Sequence, residues 1–325
     1  MIGSEPKIEL IMTSRSCPVC GSSDQSHVFA DSNVDLSRLD AFAFASRKFP
    51  EYMHWRLIEC RRCDLLYASP APAPQSLSVA YDDAAFDSGS EARYAALTYS
   101  RFLPQIKRRL ADLDGALDIG TGDGAFLERL LDADFTSVVG VEPSAAPIAV
   151  ATPEIRGLIR HDIFRVENYE PASFSLITCF QTFEHLFDPL AMCRDAFRLL
   201  KPGGAVLFVG HNRRAMSARL MGRRSPIFDI EHLQLFSPAS ARHLVAAAGF
   251  ADVEVGSLLN RYPISYWTRL VPLPAGLKRR LIALLAASGV GRLTTPLPAG
   301  NLFVIGYKPV PARHANASLE VGASV

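Results

Sequence analysis

Net charge is nearly absent from this chain. Its 34 Lys and Arg stand against 33 Asp and Glu over 325 residues, leaving +1 at pH 7. A surface that binds nucleic acid must neutralise phosphates with clustered cations, so the overall balance argues against nucleic acid as the main partner. "KRR" at 107–109 and "GRR" at 222–224 are the local exceptions. Long apolar runs are also missing. "LIALLAA" at 281–287 falls far short of the ~20 residues needed to span a bilayer, so no membrane span is expected. The start, "MIGSEPKIELIM", lacks the basic stretch and apolar core of a secretory signal, and the expected location is the cytoplasm. No internal repeat stands out. Cysteine is sparse, six in all, but four fall in two CxxC pairs. Without an export signal, such pairs read as metal ligands rather than disulfides.

What is present is an ordinary globular composition, 49% hydrophobic and 21% charged, arranged in regions. Residues 14–70 hold the paired cysteines and read as a small module. "SPAPAPQ" (69–75) is proline-rich and reads as a stiff linker or boundary. Residues 76–113 carry helical spacing, with Pro104 starting or kinking a helix. They form a linker or substrate cap, where Tyr81, Tyr94 and Tyr99 are candidates to close a pocket. From 114 to 310, short apolar runs alternate with amphipathic segments. "ALDIG", "SVVGVEP", "FSLITCF" and "GAVLFVG" read as strands buried on both faces. "GAFLERLLDAD" and "DPLAMCRDAFRLLKPGG" read as helices, the second stopped by Pro202-Gly203-Gly204. This alternation predicts an α/β fold with a parallel sheet and helices on both faces. "SPASARHLVAAAGF" reads as a further helix, and "ADVEVGSLL" and "NLFVIGYKP" as closing strands. Between those strands, 261–300 reads as a helical insertion, either a lid or a packing helix. The tail at 311–325 has little to bury and is expected to be disordered.

In "ALDIGTGDGAFLERLL" (116–131), glycines occupy every second position from 120 to 124. A turn from a parallel strand into a helix is where doubly wound folds bind nucleotides, and glycine leaves no Cβ to obstruct the ligand. Glu142, at the end of the next strand, can accept both hydroxyls of a ribose. Asp162, in "RHDIF", can meet an adenine amino group. Asp118 precedes the glycines, where it would repel a pyrophosphate but suit a cationic group. The third glycine is also one residue early for the dinucleotide fingerprint.

Taken in order, "LDIGTGDGAFLERL", "VVGVEPS", "HDIF", "FSLITCFQTFEHLFDPLAMCRDAFRLLKPGG" and "EHLQLFSPASARHLVAAAGF" resemble class I S-adenosylmethionine-dependent methyltransferases. The resemblance implies a Rossmann-like, seven-stranded, mostly parallel sheet whose last strand runs antiparallel. It places Asp118, Gly120 and Gly122 at the methionine end of S-adenosylmethionine, Glu142 at the ribose, Asp162 at the adenine and Gln181 near the sulfonium.

Cys17-x-x-Cys20 and Cys60-x-x-Cys63 supply four thiolates, enough for a closed tetrahedral site and hence a structural Zn2+. The 39 residues between the pairs call for an insertion with its own helix near 33–50. Cys179 and Cys193 sit in apolar segments and read as buried. The cysteine region resembles the zinc-binding module of bacterial deoxysugar C-methyltransferases and related small-molecule enzymes. Those sugar enzymes have a further C-terminal domain with no counterpart in these residues.

Methyl transfer needs alignment above all, plus a base where the acceptor must lose a proton. His185 and His232 fall where the carboxyl edge of the sheet should face substrate. Glu231-His232 matches the Glu-His pair that the resemblance makes catalytic, although Asp229 stands where those relatives have tyrosine. The expectation is His232 as general base, oriented by Glu231 and assisted by His185. The expected partner is a small-molecule acceptor: a nucleotide sugar, polysaccharide precursor or natural product, handled by a monomer or homodimer. An RNA methyltransferase, another S-adenosylmethionine-consuming reaction, and an inert domain with a partner-binding zinc module are the competing readings.

Overall fold

The computed structural model describes residues 10–24, 26–38, 44, 52–82, 89–271 and 273–311. Seven strands among them form the main sheet. They are β1 (Asp114–Ile119), β2 (Thr136–Glu142), β3 (Ile159–His161), β4 (Phe174–Phe180), β5 (Leu200–His211), β6 (Ala251–Pro263) and β7 (Thr294–Tyr307). Their order is β3-β2-β1-β4-β5-β7-β6, and β7 alone runs against its neighbours. The chain moves outward from β1 to β3, then returns to β4 on the other side of β1. That reversal opens a crevice at the carboxyl ends of β1 and β4, the place where such sheets bind ligands.

The period-2 alternation of side chains sorts the central strands between two cores. Leu117, Ile119, Ile177, Cys179, Val206 and Phe208 face one apolar cluster, against helices Pro189–Leu199 and Pro238–Ala247. Ala116, Leu176, Leu207 and Val209 face the other, against Ala125–Asp132 and Gly89–Tyr99. Caps set the helix starts. The Asp188 carboxylate accepts from the Ala191 amide at 2.8 Å, ahead of Pro189, and Ser237 and Ser240 form a capping box. The helix expected to end at Pro202 stops at Leu199, because Leu200 already pairs with Phe174. Cys179 and Cys193 are buried, as their apolar surroundings suggested.

The insertion differs from the sequence expectation. Pairing of β6 with β7 continues as far as Pro263↔Thr294, so 261–263 and 294–300 belong to strands. Helices occupy Ile264–Leu270 and Ala275–Ala287 at the far end of this ribbon. The expected insertion at 33–50 lies largely outside the described residues, with one 3-10 turn at Leu36–Arg38. The tail beyond 311 also lies outside them.

The N-terminal cysteine region does not stand apart. Ser26–Ala30, Leu57–Cys60 and Leu65–Ala68 make an antiparallel sheet, and its fourth strand, Gln234–Leu235, comes from the loop after β5. Gln234 pairs with Tyr67 and Leu235 with Leu66. The proline-rich stretch expected to be a linker is built into this body: Ala71–Pro72 pairs with Met12–Thr13, and Ala71 is fully buried. Arg15 ties the region down. Its guanidinium donates to the carbonyls of Ala68 (2.9 Å), Phe187 (2.5 Å) and Leu233 (2.7 Å) and to Gln234 Oε1 (3.1 Å). Burial lowers its pKa to about 10, and the converging carbonyls repay that desolvation. Trp55 Nε1 donates to Ile230 O at 2.8 Å. Among the described residues no helix is long and apolar enough to cross a membrane.

Candidate active site

A cavity of about 1190 Å³ opens at the carboxyl ends of β1, β2, β4 and β5. Asp118, one residue before the end of β1, is 2% exposed, and its carboxylate accepts from Thr178 Oγ1 (2.6 Å) and Thr121 Oγ1 (2.8 Å). Burial lifts its pKa to about 7 against the pull of those hydroxyls. The glycine turn follows. At Gly120 a Cβ would lie 2.3 Å from Thr182 Oγ1, so glycine is required for packing. Gly122 is different: its φ is +59°, and a Cβ there would meet nothing within 4 Å. Its open side forms part of the cavity wall. Glu142 ends β2 and accepts from the Gly122 amide through Oε2 and the Ser144 amide through Oε1, each at 2.9 Å. Burial raises its pKa.

Gln181 follows β4 with φ +52°, an uncommon conformation for a side-chain-bearing residue. Its amide donates to Val209 O at 2.7 Å. Its Oε1 and the Tyr81 hydroxyl oxygen are buried without a hydrogen-bond partner among the described residues, and both residues line the cavity. Such orphaned atoms, the open space over Gly122 and the buried acids fit a cationic aminoacyl nucleoside such as S-adenosylmethionine.

Asp162 is placed otherwise than expected. Its carboxylate accepts from the Ile163 amide (2.8 Å), Arg165 (2.5 Å) and Asn168 Nδ2 (3.1 Å) of its own loop. Ile163 and Phe164 line the cavity in its stead. Tyr81 and Tyr99 also line it, while Tyr94 packs edge-on against Tyr262.

Beyond the glycine turn the cavity is walled by His185, His211, His232, Asp229 and Glu231. The expected pairing of Glu231 with His232 is not formed. Sequence neighbours on an irregular loop turn to different partners: Glu231 Oε2 lies 3.8 Å from His185 Nδ1, whereas His232 Nε2 lies 3.7 Å from Glu184 Oε1. His232 Nδ1 donates to Ile227 O at 2.8 Å. Burial and then His232 push the His185 pKa down to about 3, and its ring stacks on Tyr81. Burial lowers His232 as well.

Two residues of this cluster were not singled out from sequence. Glu184 is fully buried and receives His211 Nδ1 at 2.5 Å and the His211 amide at 3.0 Å. Burial alone would raise its pKa, but His211, His232 and His185 bring it down to about 2. The available signal was a polar residue, His211, closing the otherwise apolar "GAVLFVG" strand.

The four cysteines form a second centre. Cys17 and Cys20 bracket a turn closed by Gly21 N donating to Cys17 O at 2.9 Å. Cys60 and Cys63 lie at the turn between two paired strands. Cys17 Sγ lies 3.5 Å from Cys63 Sγ, and Cys20 Sγ lies 3.5 Å from Cys60 Sγ. With Zn–S bonds of about 2.3 Å, a tetrahedral site separates its sulfurs by about 3.8 Å, so the set matches zinc in both chemistry and span. The Cys63 hydrogen bond draws the Cys17 pKa down to about 5 and in turn raises Cys63.

A family model described as a methyltransferase domain matches residues 90–255, just over half of the chain. A ubiquinone biosynthesis O-methyltransferase of Idiomarina loihiensis is 28% identical over 156 residues, 44% of this chain and 64% of that protein. The protein of the same name from Pseudomonas fluorescens is 33% identical over 106 residues, 30% of this chain and 44% of that one. The chain thus spans about half to two thirds of the length of these curated relatives. A solved SAM-dependent methyltransferase from Archaeoglobus fulgidus superposes with TM-score 0.44 at 16% identity, covering 65% of this chain and 93% of that one.

Proposed function

This chain belongs to the methyltransferase domain family, and from that premise we propose that it transfers the methyl group of S-adenosylmethionine to a small-molecule acceptor. The observation that carries this reading is the Glu142 carboxylate, fixed by two backbone amides beside the open face of Gly122. Each carboxylate oxygen keeps a lone pair for a ribose hydroxyl. Asp118 is the counter-charge for the amino-acid ammonium, and Gln181 offers its unpartnered Oε1 toward the sulfonium. S-adenosylmethionine supplies an electrophilic methyl on a sulfonium, and the chain's part is to align it and to take up a proton from the acceptor.

The acceptor belongs in the histidine-walled part of the cavity, bordered by Tyr262, Tyr266 and Trp267. Flat apolar walls with a few polar groups suit a hydroxylated small molecule. A nucleotide sugar, a polysaccharide precursor and an aromatic natural product all match that description. The curated relatives are named for O-methylation, which favours an oxygen acceptor here too. Four thiolates would hold a structural zinc away from the chemistry.

The test is calorimetric titration with S-adenosylhomocysteine. With its pKa raised to about 7 by burial, Asp118 keeps its proton well above the pH at which an unfolded aspartate loses it. Its contribution to folding is therefore present at low pH and lost as the pH rises through about 7. A ligand ammonium reverses that penalty, so affinity should rise roughly tenfold from pH 6 to pH 8. Asp118→Asn should bind weakly with no such rise. Absence of binding by the wild-type protein across this range would sink the methyltransferase reading.

A further inference from the structure

We infer that His211, held by the buried Glu184, is the general base of the transfer reaction, and that His232 is not. The inference rests on the methyltransferase reading above and names the proton acceptor within that site. A base needs a nitrogen lone pair that faces substrate and has no other partner. In His232, Nδ1 donates to Ile227 O at 2.8 Å, which leaves the Nε2 lone pair turned to the buried Glu184 Oε1 3.7 Å away, too far for a hydrogen bond and with no carboxylate behind the ring to stabilise an imidazolium. In His211, Nδ1 donates to the Glu184 carboxylate at 2.5 Å. A carboxylate accepts, so this bond puts the neutral ring's proton on Nδ1 and the lone pair on Nε2. Nε2 has no hydrogen-bond partner among the described residues. The His211 side chain is also the most exposed of the three, at 25% against 18% for His185 and 8% for His232.

The surroundings are built for this contact. His211 ends β5, next to the β4 terminus that carries Gln181, and Gly210 before it leaves room for the carboxylate. A Cβ on Gly210 would lie 2.2 Å from Glu184 Oε2. The titratable groups facing His211 are Glu184, His232 and His185, with Glu231 beside His185 and Asp229 acting on His232. Glu184 is the one buried in direct hydrogen-bond contact, its carboxylate receiving both the ring and the backbone amide of His211. His185 also has a free Nε2, but its nearest carboxylate is 3.8 Å away.

The step balances as a displacement. The acceptor X–H gives its proton to His211 Nε2, and its electron pair forms the X–CH3 bond. The C–S bond breaks with its pair going to sulfur, leaving the neutral thioether S-adenosylhomocysteine. The imidazolium, paired with the Glu184 carboxylate, then returns its proton to solvent. Glu184 acts through His211 and is a positioning residue.

Two readouts on the full-length protein decide this without a known acceptor. Carbethoxylation with diethyl pyrocarbonate at neutral pH, mapped by peptide mass spectrometry, should modify His211 ahead of His232 and His185. NMR of 15N-histidine-labelled protein should give the Nδ1–H tautomer at His211 with a strongly deshielded proton. Glu184→Gln should lose that proton signature while still binding S-adenosylhomocysteine. Preferential modification of His232, or an Nε2–H tautomer at His211, would overturn the assignment. So would joint protection of His211 and His232 by added Zn2+ or Mn2+, because Glu184, His211 and His232 hold ligand atoms within 4.8 Å of one another. On any acceptor the wild type methylates, His211→Gln should bind S-adenosylhomocysteine normally and lose about 10²–10⁴-fold in turnover. Loss of that size in His232→Ala with His211→Gln near normal would reverse the roles. Failure of the wild type to bind S-adenosylhomocysteine removes the methyltransferase reading while the tautomer result still stands or falls by itself.

Discussion

Stripping the zinc proposed for the four-cysteine centre is expected to lower the first thermal transition by about 10 °C or more and to abolish methyl transfer. Zinc held by four thiolates contributes about 10–16 kcal/mol of apparent binding energy in small modules, and that energy is folding energy. Here the candidate ligands Cys17, Cys20, Cys60 and Cys63 sit at the turns beside the N-terminal sheet. That sheet in turn holds Gln234–Leu235 and, through Arg15 and Trp55, the backbone of Ile230 and Leu233. His232 lies between those two anchored carbonyls, so the acceptor chamber should loosen with the module. The cavity wall at Asp118 and Glu142 is held by hydrogen bonds from β4 and from the turns after β1 and β2, away from the N-terminal sheet. Binding of S-adenosylhomocysteine should therefore outlast turnover. Scanning calorimetry with zinc quantified before and after chelation checks the claim. A protein purified under reducing conditions with no zinc, or one whose transition and activity survive its loss, would refute it.

The second large effect is expected at Glu142. Replacing it by alanine removes the proposed acceptor of two ribose hydroxyls, each bond to a charged group contributing about 1.5–3 kcal/mol. The same change leaves the Gly122 and Ser144 amides without their 2.9 Å partner. Affinity for S-adenosylhomocysteine should fall by about 10²-fold or more, with a further 1–3 kcal/mol lost from stability for each amide left dry. Gly122→Ala separates the two causes. Its Cβ enters empty space in the protein alone, so the fold should tolerate it at the cost of a strained φ of about 1 kcal/mol, while a bound ligand should be pushed away. Calorimetric titration of both variants beside thermal denaturation is the measurement. Glu142→Ala binding within a few-fold of wild type would remove the ribose role.

Much of this was legible in the residues. A buried apolar run leading into alternating glycines names a strand, a tight turn and a helix, and the order of the apolar runs gives the sheet. The acids at the strand ends follow from that frame, and Asp118 and Glu142 line the cavity. Asp162 is not among the lining residues, because Arg165 and Asn168 in its own loop hold its carboxylate. Periodicity says nothing about such local competition. Nor does it pair side chains across the fold. Glu231 and His232 look like partners because they are adjacent, yet the carboxylate nearest His232 arrives from the end of β4. The proline-rich stretch misled for another reason: prolines at every second position interrupt regular hydrogen bonding and carry no charge, and that is equally true of a linker and of a buried edge strand. A two-residue strand such as Gln234–Leu235 has no period to read at all.

That short strand bears on how the protein can be recombined. Its partner residues stand at 65–68, on the other side of the whole nucleotide-binding half of the chain. A hybrid joined at the proline stretch would inherit an N-terminal sheet lacking its edge and an acceptor loop lacking its support. The cysteine region and the 225–236 segment form one unit of inheritance written in two places, and substitutions in either should be compensated in the other.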